Sequence, residues 1–468
     1  MADGHSGHLH YSLLPTHYCP LTMLENFSFR TIVQYLPLFG QGLVTTVWLS
    51  VLSFAGALAV GIVLAAMNLQ RGRLFRVPAK AYIDAVRATP LLAQLYFLYF
   101  GLPRLGFILP EFVVGILALS LNSGAYVAEI IRAGILSIPR GQVEAGVASG
   151  MTYVQRMRLV ILPQAFKVTI PPLLGQAIVL VKDSALLSLI SVAELTRAGQ
   201  LLASDRFMPA EGFITIAALP PALLRAEGAG GALRALARPR GGTDMIWQQL
   251  QSIAGSYPLA LRGLGMTVVL SLIGLVLGTL LGFGLGILRT GGNRLISGAI
   301  GAWVDLIRGT PFLVQIFLIF FILPELGIEL DAFTAGIIAL TNLAACFICE
   351  IVVAGIRSVP TGQVEAALAS GLSRWQRMRQ VVLPQAMRIV LPPLVGQYVL
   401  LIKDSSVVSA IGLTDLTRVG WLVVQRVPNG LLVFFLVGLG YFIVCYPLIM
   451  LARRLEQRMG AAHGEVQL

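Results

Sequence analysis

Long apolar runs alternate with short polar loops along most of this chain, and the runs set its architecture. Most of them reach the roughly 20 residues that an α-helix needs to cross a bilayer's hydrocarbon. In the N-terminal half they fall at about 41–67, 81–102, 112–134 and 168–192, with a shorter fifth at 208–224 that contains Pro220 and Pro221. In the C-terminal half they fall at about 262–288, 302–323, 333–355, 389–413 and 429–452. The pattern predicts an all-α polytopic membrane protein with two tandem domains of about five helices each, the last helix of the first domain being degenerate.

The halves are copies. Glu144 matches Glu365, Gly150 matches Gly371 and Pro163 matches Pro384, each pair 221 residues apart (365−144, 371−150, 384−163). RATPLLAQLYFLYFGLP at 87–103 aligns with RGTPFLVQIFLIFFILP at 308–324, and VKDSALLSLI at 181–190 with IKDSSVVSAI at 402–411. A repeat of this length means two copies of one membrane unit joined head to tail. The expected division is a polar tail at 1–35, a first domain at 36–224, a Gly/Ala/Arg linker at 225–246, a second domain at 247–456 and a tail at 457–468.

Composition agrees with a membrane setting. The chain is 56% hydrophobic and 12% charged, with mean hydropathy +0.82; soluble proteins carry about 25% charged residues. The net charge of +12 does not point to nucleic acid, because the cations cluster in short loops. Arg71, Arg73, Arg76 and Lys80 follow the first run, and Arg140, Arg156, Arg158 and Lys167 lie in a later polar segment. Arg289, Arg294, Arg374, Arg377 and Arg379 occupy the matching loops, which the positive-inside rule assigns to the cytoplasm.

The N-terminal tail lacks the layout of a cleavable signal peptide, and its His5, His8 and His10 read as part of a flexible segment. Cys346 and Cys349 form a CxxC within an apolar helix and read as packing residues.

Each copy is expected to start outside and end inside, which leaves a crossing unaccounted for between them. Two readings remain open. Either the segment at 213–224 does not span, or residues 247–261 re-cross or lie at the interface.

One polar element interrupts the apolar pattern twice: SIPRGQVEAGVASGMTYVQRMRLVILPQA at 137–165 and SVPTGQVEAALASGLSRWQRMRQVVLPQA at 358–386. Gly141 and Gly362 open a short helix with Glu144 or Glu365 in its first turn, where the helix dipole favours a carboxylate. Gly150 and Gly371 are placed to stop it in a left-handed C-cap. Thr152 with Gln155, and Ser373 with Gln376, fit a capping box for the next helix. Pro163 and Pro384 are expected to break the run before the next span. A short helix held between glycines is shaped to dock on a partner.

At these residues the chain resembles the polar amino-acid permeases of ATP-binding-cassette importers. EAxxxG followed by a hydrophobic-x-LPQA sequence is similar to that family's cytoplasmic loop, and the RGTPxLVQ and KDSSxxSxIG segments narrow the resemblance. It covers about 37–208 and 258–455. The resemblance implies five core helices per half and a translocation path between the halves. Glu144, Ala145, Gly150, Glu365, Ala366 and Gly371 would belong to coupling helices seated on two ATPase subunits, with Gly141, Pro163, Gly362 and Pro384 framing them.

The resemblance further implies an extracytoplasmic solute-binding protein, an amino-acid substrate, and a place in a bacterial inner membrane. ATP and Mg would be bound by the partner ATPase, with no cofactor in this chain. Gly146, where the second copy has Ala367, departs from the repeat and is expected to loosen the first short helix.

Ionisable residues within spans are costly and therefore candidate sites. Lys182, Asp183 and Ser184 match Lys403, Asp404 and Ser405 at equal depth, as a substrate path for a zwitterion or as locally neutralised pairs. Glu129 and Glu350 are expected to anchor the polar hairpins. The RxTP motifs place Pro90 and Pro311 within apolar runs, either to break a helix beside a cavity or to curve it.

GFGLG at 282–286 lacks the context of a phosphate loop, whereas Gly274, Gly278, Gly282 and Gly286 form a small-residue packing seam. The competing class is a secondary transporter driven by an ion gradient, with duplicated halves but no need for paired docking helices. A membrane-embedded enzyme would lack a recognisable HExxH or GxSxG site.

Overall fold

The computed structural model describes residues 28–218 and 255–460, apart from positions 71, 207, 292 and 428. The N-terminal histidines, the linker, and Pro220 with Pro221 lie outside the described residues, and so does the answer to the crossing between the copies. The first half runs α1 (Phe29–Asn68), α2 (Arg73–Ala88), α3 (Leu91–Gly101), α4 (Glu111–Leu136), α5 (Arg140–Ala148), α6 (Tyr153–Arg156), α7 (Leu162–Asp183), α8 (Leu195–Arg206) and α9 (Pro209–Ala218). The second runs α10 (Tyr257–Thr290), α11 (Arg294–Gly309), α12 (Phe312–Phe317), α13 (Leu323–Glu325), α14 (Ala332–Arg357), α15 (Thr361–Ala369), α16 (Arg374–Arg377), α17 (Leu383–Asp404), α18 (Leu416–Arg426) and α19 (Gly430–Gly460). Among the described residues, seven helical segments are long and apolar enough to cross a membrane, and a bent pair makes an eighth if it is one span.

The tightest packing is within each half, between α1 and α4 and between α10 and α14. Small residues make it possible. A Cβ on Gly282 would sit 2.7 Å from Ile348 Cβ, and one on Gly286 would sit 2.7 Å from Val352 Cγ1. Ser53, Ala57, Gly61 and Ala65 are buried along the equivalent face of α1. The seam expected from the glycine spacing is therefore the contact that joins the first and third spans of each copy. Cys346 and Cys349 are buried in α14 beside Val304 and Ile307 of α11, in a small apolar cluster.

Two expected spans have a different shape. The second is broken at the RxTP motif, where Thr89 and Thr310 adopt extended backbone. In the second copy the two pieces meet at 106°. The fourth runs without interruption from Tyr153 to Ile190 and from Arg374 to Ile411. Pro163 and Pro384 do not break it: each follows a π-helical turn, Met157–Ile161 or Met378–Val382. That turn carries an extra residue, which accommodates a ring that would clash with a regular helical carbonyl. The first helix already begins at Phe29, ahead of the boundary read at 36.

The halves interlock through their fifth helices. Phe434 at the start of α19 packs on Tyr96 and Phe100 of the first copy, with ring centroids 5.2 and 5.7 Å apart. Phe213 of α9 repeats this on Phe317 and Phe321 of the second copy, at 5.0 and 5.9 Å. These are matched positions (434−213, 317−96 and 321−100 all equal 221). The first copy's fifth helix thus starts in the right place and register, and its described part ends at Ala218.

Candidate functional site

Each polar hairpin is built the same way. Pro139 and Pro360 cap α5 and α15, and Gly150 and Gly371 follow the two helices at φ +72° and +75°, a conformation that glycine adopts without strain. Both capping boxes form, with Gln155 N–H donating to Thr152 Oγ1 and Gln376 N–H to Ser373 Oγ, each over 3.3 Å.

Beneath the hairpins sit matched apolar clusters, Ile138, Ile161 and Ala165 in one copy and Val359, Val382 and Ala386 in the other. Glu144, Ala145, Glu365 and Ala366 are exposed, as are Gly141 and Gly362. Gly146 and Ala367 are buried on the inner side. A Cβ at Gly146 would lie 3.0 Å from Arg156 Cγ, so glycine there lets Arg156 lie across the helix and donate to Met151 O.

Sequence reasoning passed over the apolar part of this surface. Val147 and Leu368, at matched positions beside the glutamates, are exposed, and so are Val154 and Trp375. A solvent-facing Val or Leu repeated at one position of a polar helix was the available signal.

Glu129 and Glu350 anchor the RxTP break. Glu129 accepts from Arg132 Nε and Nη2 (3.2 and 3.0 Å) and lies 3.6 Å from Arg87. Glu350 pairs with Arg289 and lies 3.7 Å from Arg308. Arg87 and Arg308 are the common partners. The second cation comes from α4 in one copy and from α10 in the other, because Arg132 and Asn68 are replaced by Val353 and Arg289. The hydrogen bonds and ion pairs of both glutamates therefore go to the break and the adjoining helices, which redirects the expected anchoring role away from the hairpin.

The break itself is sealed by residues that sequence reasoning did not single out. Gln94 Nε2 donates to Val86 O (3.0 Å), Thr89 O (3.2 Å) and Thr89 Oγ1 (2.8 Å). Gln315 Nε2 does the same for Ile307 O (2.7 Å), Thr310 O (3.1 Å) and Thr310 Oγ1 (3.0 Å). Carbonyls freed by the interruption must find donors inside the bilayer, and a glutamine four residues after the proline supplies them. Asn122 then donates to Gln94 Oε1 over 3.0 Å, whereas Gln315 Oε1 is buried without a partner among the described residues.

The candidate path residues converge between the copies. Asp183 lies within electrostatic reach of Lys182, Lys403 and Asp404. Lys182 Nζ donates to Arg308 O across the boundary (2.9 Å), and Lys403 Nζ donates to Tyr126 Oη (2.5 Å) while lying 5.3 Å from that ring's centroid. Arg87 faces the same ring at 5.8 Å, and Arg308 faces Phe347 at 5.4 Å. Ser184 and Ser405 are buried and donate back to Val181 O and Ile402 O, each over 2.7 Å, where the α-helix tightens into a 3₁₀ turn. The four charged groups form one mixed-sign cluster at the boundary, and the serines shape the helix ends that present it.

Two domains of one kind, a charged cluster between them and two exposed hairpins define a membrane-spanning transport subunit. The model of the family described as binding-protein-dependent transport system inner membrane component matches residues 57–223 and again 274–461, and the chain belongs to that family. The L-cystine transport system permease protein TcyB of Bacillus subtilis (strain 168) is 43% identical over 167 residues, covering 36% of this chain and 71% of that protein. The glutamine transport system permease protein GlnP of Escherichia coli (strain K12) is 37% identical over 204 residues, covering 43% of this chain and 93% of that protein. A crystal structure of an amino acid ABC transporter with histidines is 41% identical and covers 42% of this chain and 91% of that chain, with a TM-score of 0.40. TcyB and GlnP each cover less than half of this chain.

Proposed function

We propose that this chain is the two-domain permease subunit of an ATP-driven, binding-protein-dependent amino-acid importer of a bacterial inner membrane. The observation that carries the reading is the pair of matched hairpins, exposed on the side that the loop cations assign to the cytoplasm. Two ATPase subunits, one per hairpin, would draw together on binding ATP and rock the halves about their boundary, while a solute-binding protein delivers substrate from outside. Glu144, Ala145, Gly150, Glu365, Ala366 and Gly371 form the coupling elements, and Val147 and Leu368 add apolar contact. Lys182, Asp183, Lys403 and Asp404 offer both signs of charge to an α-amino acid passing between the halves; local neutralisation alone would not require the two pairs to meet.

The names of TcyB and GlnP support an amino acid as substrate. Uptake into vesicles carrying this chain, an ATPase subunit and a binding protein should require ATP and persist when the proton gradient is collapsed. Uptake driven by the gradient without ATP would replace this reading with a secondary transporter.

A further inference from the structure

The cluster between the halves is balanced in charge, and that limits what can enter it. Two ammonium groups, Lys182 and Lys403, stand with two carboxylates, Asp183 and Asp404, and each carboxylate is within electrostatic reach of both lysines. Lys182, Asp183 and Asp404 are half-buried, and so are Tyr126 and Phe347, a matched pair on the third spans (347−126 = 221). Tyr126 meets Lys403 directly, and Phe347 lies against Arg308, whose carbonyl holds Lys182.

The surrounding charges cancel too. Arg87 is answered by Glu129 at 3.6 Å, Arg308 by Glu350 at 3.7 Å and Arg453 by Asp84. Glu194 with Arg197, and Asp415 with Arg418, add one group of each sign per copy at the start of α8 and α18. The excess left around the cluster, among the described residues, is positive: Arg132 and Arg289, the second partners of the two glutamates.

An α-amino acid with an uncharged side chain adds no net charge to such a place. Its carboxylate can share the ammonium groups, and its own ammonium can share the aspartates. A guanidinium or ammonium on the side chain would have no carboxylate left to meet, and a buried charge without an opposite partner is strongly disfavoured. A second carboxylate fares little better, since Lys182 is already held by Arg308 O and Lys403 by Tyr126 Oη.

We infer that the boundary selects α-amino acids with uncharged side chains, and that Tyr126 and Phe347, which carry no charge, are the wall residues that keep it so. The inference rests on the amino-acid importer reading and narrows its substrate.

The test is equilibrium binding to the purified full chain in detergent, with tritiated L-glutamine, L-leucine, L-arginine and L-glutamate as probes. Glutamine or leucine should bind at least about tenfold more tightly than arginine or glutamate. Phe347→Glu adds one negative charge to the wall and should tighten arginine binding about tenfold. Phe347→Gln, of similar size and uncharged, should not admit arginine.

Arginine or glutamate binding most tightly to the unaltered chain would overturn the inference. So would an arginine affinity indifferent to Phe347→Glu, or binding of none of the four probes. If the glutamate variant cannot be extracted as monodisperse protein, the ranking in the unaltered chain decides alone. Binding is read without ATP, so uptake driven by an ion gradient would remove the importer reading while leaving this ranking intact.

Discussion

The two hairpins are near copies of one another, while the two sides of the central boundary are not. At the hairpins the capping boxes, the left-handed glycines and the underlying clusters repeat position by position. Elsewhere the matched positions differ: at the boundary Phe347 stands where the first copy has Tyr126, and within the copies Leu343 stands for Asn122 and Val353 with Arg289 for Arg132 with Asn68. Two identical chains have to use one residue on both sides of their axis. A fused pair is released from that constraint: the caps and left-handed glycines of the hairpins still obey it, whereas Tyr126 with Phe347 at the boundary, and the exposed Val154 with Trp375 on the hairpins, do not.

The largest test of this comparison addresses what the halves share. Gly282→Leu and Gly61→Leu each push a side chain into the seam, against Ile348 in one copy and Val127 in the other. Each should destabilise by more than about 3 kcal/mol, read as loss of monodisperse protein after extraction. A tolerated substitution in one half would mean that the seams are not equivalent.

Next, Glu365→Lys and Glu144→Lys should each weaken ATPase binding at its own hairpin about tenfold, so that about one ATPase subunit co-purifies in place of two, while leaving the thermal midpoint within about 2 °C. Unequal losses would show that one hairpin dominates.

A smaller effect is expected at the break. Glu350→Ala and Glu129→Ala should each cost about 1–2 kcal/mol in thermal unfolding, since the pairs are only partly buried. The Glu350 variant should be relieved by Arg289→Asn, which restores the first copy's residue.

The smallest effect should come from Tyr126→Phe. It removes one hydrogen bond to Lys403 and makes the two sides alike, at a cost of about 1 kcal/mol. Phe347→Tyr should not reproduce the interaction, because Lys182 is already held by Arg308 O.

What the sequence disclosed was local or periodic. The hairpin caps lie three residues apart and the glycine seam recurs every four, so both are visible without knowing the fold. Contacts between distant residues were hidden: Lys403 to Tyr126 spans 277 positions and Arg453 to Asp84 spans 369. The role of Gln94 and Gln315 was also out of reach. A glutamine beyond a proline gains meaning only once the helix is known to break and to leave carbonyls open. Pro163 and Pro384 misled for a related reason, since a π turn leaves no mark in hydrophobic pattern.

The mass of the intact complex tests the central claim most directly. The chain should be extracted with its ATPase subunits and weighed without dissociation. One chain with two ATPase subunits is the predicted composition, reduced to one subunit by Glu365→Lys. One chain with a single ATPase subunit in the unaltered complex would contradict the claim that both hairpins are gripped.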